Sequence, residues 1–184
     1  MAINSLRKLS EMAIKIKKEL YLRSLINRGL KIGRNVNIID AYFFDPSFCY
    51  LISIGNNCTI CPNVRLIAHD ASTYKALGYT KIGKISIEDG CFIGDSVIVL
   101  PGVHIGANSI IGAGSIVTSS IPNNSVAAGN PARVICSKDT YLNKIKSLSN
   151  SKRIFSRDYY IDRLDLNKRM EIIESVQDSI GFII

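Results

Sequence analysis

The chain has 184 residues, of which 47% are hydrophobic and 21% charged, and this composition suits one compact domain with short appendages. No apolar run is long enough to cross a membrane, and lysines interrupt the N-terminal segment, so neither a transmembrane span nor a secretory signal is expected. Five cysteines without framework spacing favour reduced thiols in a cytoplasmic protein. Residues 1–31 hold eight Lys or Arg and two Glu, whereas residues 32–135 hold six basic and six acidic residues; a nucleic-acid groove is therefore not expected there.

Residues 1–30 are predicted to form a basic amphipathic helix. Apolar residues recur among the basic ones at helical spacing, namely at Leu6, Leu9, Ala13, Ile16, Leu20 and Leu25. We expect this helix to cover the open end of the regular region that follows it. Its charge would also allow peripheral contact with an anionic membrane, and a solvated helix face is the simpler interpretation.

A six-residue period dominates residues 31–136. From Ile87 the chain divides into IEDGCF, IGDSVI, VLPGVH, IGANSI, IGAGSI and VTSSIP, and every unit begins with a β-branched residue. A looser form of the period starts at Ile32 and contains four extra residues, Tyr50 to Ser53, before it resumes at Ile54. A period of six does not match the helical repeat of about 3.6 residues, but it suits short strands that each bury one aliphatic side chain in a shared column. The sequence therefore predicts a β-solenoid, since a sandwich would show alternation and turns about every 8–12 residues.

These units resemble the hexapeptide-repeat acyltransferases over about residues 32–136. The resemblance is greatest to the maltose, galactoside and capsular or exopolysaccharide O-acetyltransferases, in the stretches LISIGNNCTICPNVRLIAHD and IGANSIIGAGSIVTSSIPNNSVAAGNPARVI. It implies an all-β fold, a left-handed parallel β-helix with flanking N- and C-terminal α-helices. It also implies acetyl-CoA as cosubstrate, no metal, a hydroxyl-bearing acceptor of the carbohydrate class, and a homotrimer with active sites between subunits.

The period fails at residues 69–81, in the polar segment HDASTYKALGYTK. A loop that interrupts a rigid column is a frequent place for function, and histidine is the side chain that ordinarily exchanges a proton near neutral pH. The resemblance places the family's catalytic base at His69, and Asp70 is a candidate to orient its ring. The alternative is a loop histidine bonded to a backbone carbonyl. Asp45 and Arg65 are conceivable contacts of the acceptor.

The same resemblance places the coenzyme A site at the end of the repeats. Ala113 would contact the pantetheine arm through its backbone, and Thr118 and Ser119 match the family's Thr-Lys pair. Arg133 matches the basic residue of the NPAR loop, where a guanidinium can pair with a coenzyme phosphate. Two departures stand out, because Ser119 replaces a common lysine and Asp95 brings a carboxylate to a donor-side position that is small or hydroxylated in relatives. A structural end cap of the solenoid is the alternative for this segment.

Other histidine and cysteine residues receive structural interpretations. His104 ends the unit VLPGVH and is interpreted as a surface or packing residue; with two histidines in the chain, the three-histidine zinc site of the γ-class carbonic anhydrases is excluded. Cys58 and Cys61 form a CxxC pair. However, Cys58 and Cys91 take the fifth position of their units, so we expect compact side chains that fill the interior column.

Residues 137–184 lie outside the resemblance and are predicted to form a helical tail, with a helix over about residues 165–180. The expected function is that of an acetyl-CoA-dependent O-acetyltransferase with His69 as general base. Antibiotic acetyltransferases of the streptogramin type, serine acetyltransferases and sugar N-acetyltransferases have related repeats and remain alternatives. A non-catalytic solenoid scaffold is the alternative outside the enzymes.

Overall fold

The computed structural model describes residues 2–184, and residues 2–8 and 11 through their backbone alone. The chain forms two compact units, Met1–Lys138 and Asp139–Ile184. The first unit contains the six-residue repeats and all the candidate site residues. None of the helices in the described part of the chain combines the length and the apolar character that a bilayer-spanning helix needs.

The N-terminal helix α1 spans Ala2–Asn27, and Gly29 follows it with a φ of +107°, which glycine readily adopts. Its last two turns pack on the repeats, because Leu25 is fully buried and Tyr21 and Leu22 contact the core. The apolar positions that the sequence pattern assigned to the buried face are mostly exposed, namely Leu9, Ala13, Ile16 and Leu20, while the Leu6 side chain lies outside the described residues. Among the described side chains of this helix, those of the last two turns are therefore the most buried, and an apolar stripe before them is exposed.

The repeats form short parallel strands that fall into three sheets. The first sheet contains β1 (Lys31–Ile32), β3 (Ile52–Ile54), β8 (Ile85–Ile87) and β11 (His104–Ile105). The second contains β2 (Asn37–Ile38), β4 (Thr59–Ile60), β9 (Phe92–Ile93), β12 (Ile110–Ile111), β14 (Ser125–Gly129) and the antiparallel β15 (Ala132–Ser137). The third contains β5 (Arg65–Leu66), β10 (Ile98–Val99) and β13 (Ile116–Val117). From β8 onward the chain visits the three sheets in turn, so three six-residue units complete one coil.

Strand register and burial follow the six-residue period. Ile87 pairs with Ile105 and Ile93 pairs with Ile111, so each residue lies beside the one three units farther along the chain. In the first coil Ile32 and Ile38 are partly buried. From Phe44 onward the first-position side chains form the interior, each at most 3% exposed: Phe44, Ile54, Ile60, Leu66, Ile87, Ile93, Val99, Ile105, Ile111 and Val117. Each unit on its own could not exclude water from its aliphatic residue, and the stack of coils does so.

The fifth positions form a second interior column. Cys58 and Cys91 are both 1% exposed there, as predicted, and their thiols donate to backbone carbonyls at 3.0 Å and 3.2 Å. Cys61, the other member of the CxxC pair, lies at a corner and is partly exposed. Deeper in the column, the hydroxyls of Ser109 and Ser115 also donate to backbone carbonyls, at 2.8 Å and 2.6 Å. Buried polar atoms in this column are thus paired.

Corners of the coil depend on the fourth position of each unit. That residue takes a left-handed backbone conformation in most units, at Asn35, Asn57, Asn63, Gly90, Ser96, Gly102, Asn108 and Gly114. Asn and Gly tolerate this conformation better than other residues. The glycines at the second position have another role, since a Cβ at Gly106 would lie 2.5 Å from the backbone nitrogen of Asn123 in the next coil.

Gly106→Ala is therefore expected to destabilise the first unit by about 1–3 kcal/mol, because adjacent coils would have to separate. Thermal or urea unfolding measures this loss. Thr118→Ala is the matched control, since Thr118 occupies the same second position of its unit and is exposed. Equal stability of the two variants would show that the coils do not approach closely at Gly106.

The second unit is only partly helical. It contains α3 (Lys138–Ser149), β16 (Ile154–Phe155), a 3-10 turn at Arg157–Tyr159, α4 (Leu166–Ser175) and β17 (Phe182–Ile183). The helix expected over residues 165–180 begins as predicted, with Asp165 accepting a hydrogen bond from Lys168 N at 2.8 Å, and it ends at Ser175. The parallel pair β16–β17 was not predicted, because two-residue strands leave no periodic signal.

Candidate active site

The break in the repeats is a hairpin-like loop beside the third-sheet corner. Its stem is the antiparallel pair β6 (His69–Asp70) and β7 (Lys81–Ile82), and its tip holds the short helix α2 (Tyr74–Leu77). The stem is joined to the coil by a hydrogen bond from Gly83 N to Ala68 O at 2.9 Å. His69 is therefore held at the base of the loop, next to regular structure.

Asp45 is the side chain that binds the His69 ring. Its carboxylate, 1% exposed, contacts Nδ1 of His69 through Oδ2, and the same oxygen accepts from Ala68 N at 3.1 Å. The other oxygen accepts from Ser47 N at 3.0 Å and from Phe48 N at 3.1 Å. With all of these donors in place the carboxylate is fixed in position. An ionised carboxylate can only accept, so Nδ1 of a neutral His69 carries the proton and Nε2 is the basic nitrogen.

The second irregularity of the repeats brings Asp45 to this point. Phe44 occupies its expected inward position beside Leu66, and the chain then leaves the period through Asp45 and a 3-10 turn at Cys49–Leu51. This irregular segment accounts for the four residues, Tyr50 to Ser53, by which the sequence exceeds the six-residue period. Both irregular segments lie at the same corner of adjacent coils, so the 24-residue separation between Asp45 and His69 disappears in the fold.

Asp70 does not orient the His69 ring, and this part of the prediction is corrected. Successive residues of a strand point to opposite sides, and the Asp70 carboxylate instead contacts Lys81 Nζ at 3.1 Å and Ser72 N at 2.9 Å. The hydrogen bond from the Ser72 backbone, with a further contribution from Lys81, lowers the pKa of Asp70 from 3.8 to about 2. The ionised carboxylate therefore supports the loop above about pH 4, and that support is lost as the pH falls through 2.

An open cavity of about 420 Å³ adjoins His69. It is lined by Ile67, His69, Asp70, Ala71, Lys81, Leu100 and Pro101. The His69 side chain is 35% exposed, and its Nε2 makes no hydrogen bond within residues 2–184. The basic nitrogen is thus available to a substrate that enters the cavity.

The donor-side candidates Thr118 and Ser119 lie close to this cavity along the stack. Val99 pairs with Val117, which places the cavity-lining residues Leu100 and Pro101 beside Thr118 and Ser119 in the following coil. Neighbouring strands are about 5 Å apart, and the side chains of Thr118 and Ser119 are both exposed. The register therefore brings the cavity beside His69 and one part of the predicted donor site to the same edge of the coil.

The remaining donor-side candidates occupy the next edge. Gly114 N donates to Asp95 O at 2.8 Å, which sets Asp95 beside the exposed Ala113, and the Asp95 carboxylate accepts from Ser96 Oγ at 2.5 Å. Arg133 is exposed on the β14–β15 hairpin, with its guanidinium donating to Ala132 O at 2.9 Å. The structure thus presents all five donor-side residues on the surface of the last coils and their hairpin, at two neighbouring edges.

The other histidine of the chain lies away from the candidate site residues. His104 Nδ1 is 2.8 Å from Ser86 Oγ and its Nε2 is 3.4 Å from Glu88, in an open cavity of about 630 Å³ on the first sheet. This agrees with the prediction of a surface residue. Among the described residues, no group of three or more His, Cys, Asp or Glu side chains is placed to hold a metal ion.

Comparison with known proteins identifies the repeats. The family described as "Bacterial transferase hexapeptide (six repeats)" matches residues 84–119. Galactoside O-acetyltransferase of Escherichia coli (strain K12) is 42% identical over 113 residues, which are 60% of this chain and 52% of that protein. The chain belongs to the hexapeptide-repeat transferase family. It spans about half the length of this curated relative.

Two solved structures are similar to this hexapeptide-repeat chain. A hexapeptide-repeat acetyltransferase from Vibrio cholerae is 22% identical, covering 68% of this chain and 92% of its own, with a TM-score of 0.50. That likeness concerns the fold. A galactoside acetyltransferase in complex with coenzyme A is 41% identical, covering 58% of this chain and 54% of its own, with a TM-score of 0.46.

The family match and the active-site geometry cover different parts of the hexapeptide-repeat chain. Asp95, Ala113, Thr118 and Ser119 lie within the matched residues 84–119, where the period is regular. Asp45 and His69 lie before the match, in the two segments where the period fails. The sequence signal for Asp45 was limited to its place at the start of an irregular segment, which is why reasoning from the repeats missed its role.

Proposed function

We propose that this protein is an acetyl-CoA-dependent O-acetyltransferase that acts on a hydroxyl of a sugar or polysaccharide precursor. The observation that carries the proposal is the His69–Asp45 pair, with a basic nitrogen beside an open cavity on a stack of hexapeptide coils. The 42% identity to a galactoside O-acetyltransferase supports both the reaction and the acceptor class. We also propose that the coil is left-handed, as the family resemblance implies.

In the proposed reaction His69 Nε2 takes the proton of the acceptor hydroxyl as the oxygen attacks the thioester carbonyl. The imidazolium that forms carries a proton on each ring nitrogen and is stabilised by the Asp45 carboxylate. When the tetrahedral intermediate collapses, the C–S bond breaks and the coenzyme thiolate receives the proton from Nε2. Proton transfer by a positioned base contributes typically about 10²–10⁴-fold to the rate.

The donor-side residues fit a slender anionic cosubstrate. Ala113 presents exposed backbone with a minimal side chain, the Thr118 hydroxyl can bond an amide or phosphate, and the Arg133 guanidinium suits a phosphate. Asp95 brings negative charge to this surface, and its contact with Ser96 leaves the carboxylate engaged within its own turn. Ser119 can offer a hydroxyl where a lysine would have offered charge. No metal enters this chemistry.

Three further proposals concern assembly, membrane contact and location. The protein would assemble as a homotrimer with active sites between subunits, and exposed apolar side chains such as Phe92 and Ile82 provide surface for contact. Peripheral membrane contact through residues 1–30 stays a prediction, and exposed Leu9, Ile16 and Leu20 are compatible with it. A cytoplasmic location also stays a prediction.

The proposed function is tested by measuring thiol release from acetyl-CoA and by identifying the product. The acceptor panel contains hexopyranosides, amino sugars, L-serine and a streptogramin antibiotic. We expect release that depends on a hexopyranoside, with one O-acetyl ester in the product. Exclusive transfer to an amine, to serine or to the antibiotic would contradict the proposed acceptor. Folded protein that neither binds coenzyme A in calorimetry nor releases thiol would contradict the enzyme itself.

A further inference from the structure

Phe48 links the His69 ring to the exposed Tyr50 ring through two aromatic contacts. The Phe48 ring lies 5.1 Å from the His69 ring, centroid to centroid, with an interplanar angle of 37°. The Phe48 ring also lies 6.0 Å from the Tyr50 ring, centroid to centroid, at 44°. Ring contacts in the described residues join each neighbour to Phe48, and none joins Tyr50 directly to His69. Tyr50 thus stands one ring beyond Phe48, and it is 52% exposed.

The backbone around Tyr50 is anchored, although its side chain is exposed. Phe48 N donates to the Asp45 carboxylate, and Leu51 N donates to Phe48 O at 2.9 Å, which closes the 3-10 turn. Between them Cys49 is 1% exposed. The Tyr50 stem packs against the end of α1, where a Cβ added at Gly29 would lie 2.7 Å from Tyr50 Cβ. The irregular segment that positions Asp45 therefore also positions the Tyr50 ring.

The chemistry of these rings suits a carbohydrate. A pyranose presents C–H groups on its ring face, and these match the negative face of an aromatic ring, while the tyrosine hydroxyl can bond a sugar hydroxyl. The Tyr50 hydroxyl makes no hydrogen bond within residues 2–184, so it is available. The two ring contacts place Tyr50 within the reach of an acceptor that is longer than the one hexose whose hydroxyl is placed at His69 Nε2.

We propose that Tyr50 forms a subsite for a second sugar ring of the acceptor, so that the protein prefers a glycoside of two or more sugars to the matching monosaccharide. This inference rests on the proposed function, because it takes His69 as the position of the reacting hydroxyl. It adds the length of the acceptor, which that function leaves open. Tyr50 acts in binding and takes no part in the acid–base chemistry.

The inference is tested with Tyr50→Leu, assayed with a disaccharide and with the methyl glycoside of its reacting sugar. We expect the wild-type protein to show a kcat/KM about 5–10-fold higher for the disaccharide, through a lower KM. In Tyr50→Leu the two acceptors should become equal, while KM for acetyl-CoA and kcat for the monosaccharide are unchanged. Tyr50→Phe should retain most of the preference. The matched control is Tyr160→Leu, which removes a tyrosine that is 46% exposed in the second unit.

Other outcomes separate this inference from the proposed function. Transfer to both acceptors with equal efficiency, unaffected by Tyr50→Leu, would overturn the subsite and leave the O-acetyltransferase in place. Failure of the wild-type protein to acetylate any sugar would overturn both. A change in native mass in Tyr50→Leu, measured by light scattering, would also overturn the subsite, because it would identify Tyr50 as a contact between copies of the chain.

Discussion

His69→Ala is expected to lower kcat for acetyl transfer by about 10²–10⁴-fold, the contribution of a positioned general base. Substrate hydroxyls are far weaker acids than the imidazolium, so without Nε2 the oxygen must attack while it still carries its proton. The donor side does not include His69, and KM for acetyl-CoA should therefore change little. Steady-state thiol release with a hexopyranoside acceptor measures both parameters.

The chain provides a matched control for this variant. His104→Ala removes the only other histidine, which lies on the first sheet with Ser86 and Glu88, and it should retain the wild-type kcat. Thermal unfolding of both variants would show that each is folded at the assay temperature. A folded His69→Ala variant that acetylates as fast as the wild type would eliminate His69 as the base.

Asp45→Asn is expected to lower kcat by about 10²–10⁴-fold as well, although Asp45 touches no substrate in the proposed reaction. The asparagine side chain has one oxygen and one amide nitrogen. If the oxygen keeps the hydrogen bonds from Ser47 and Phe48, the NH₂ group faces Ala68 N and His69 Nδ1. The amide would then donate to Nδ1, and the ring proton would move to Nε2, where it blocks the acceptance of a proton.

The opposite orientation of the substituted amide is no better. The NH₂ group would then face two backbone N–H donors, and unsatisfied buried donors cost about 1–3 kcal/mol. We therefore expect a lower unfolding midpoint in either case, together with the fall in kcat. Asp70→Asn is the matched control, because it changes an equivalent carboxylate in the same corner that contacts Lys81 and Ser72 instead of His69. It should retain kcat, and equal losses in the two variants would contradict the role of Asp45.

The six-residue period was sufficient to predict the repeat region because each unit repeats one local requirement. An aliphatic residue such as Ile93 or Ile111 at the first position must be buried, and a residue such as Asn108 at the fourth position must tolerate a left-handed turn. These requirements are visible in single units. The inward positions and the interior cysteines followed from them directly.

The parts that escaped prediction depend on contacts between distant segments. Asp45 and His69 meet because two irregular segments lie at one corner of adjacent coils, and no period records which irregular residues will face each other. In α1 the pattern selected Leu9, Ile16 and Leu25 alike, and the fold buries only Leu25 of these three. Asp70 was chosen for its proximity in sequence, and strand geometry turns its side chain away from the ring.

The central claim is that Asp45 holds neutral His69 with its proton on Nδ1 and leaves Nε2 free to act as the base. Nitrogen-15 NMR of the histidine side chains tests it most directly, since the chain has two histidines and His104→Ala would leave the signals of His69 alone. At a pH where the ring is neutral, we predict a protonated Nδ1 and an unprotonated Nε2 in the His104→Ala background, and loss of this pattern when Asp45→Asn is added. A neutral ring with its proton on Nε2 in the presence of Asp45 would contradict the account.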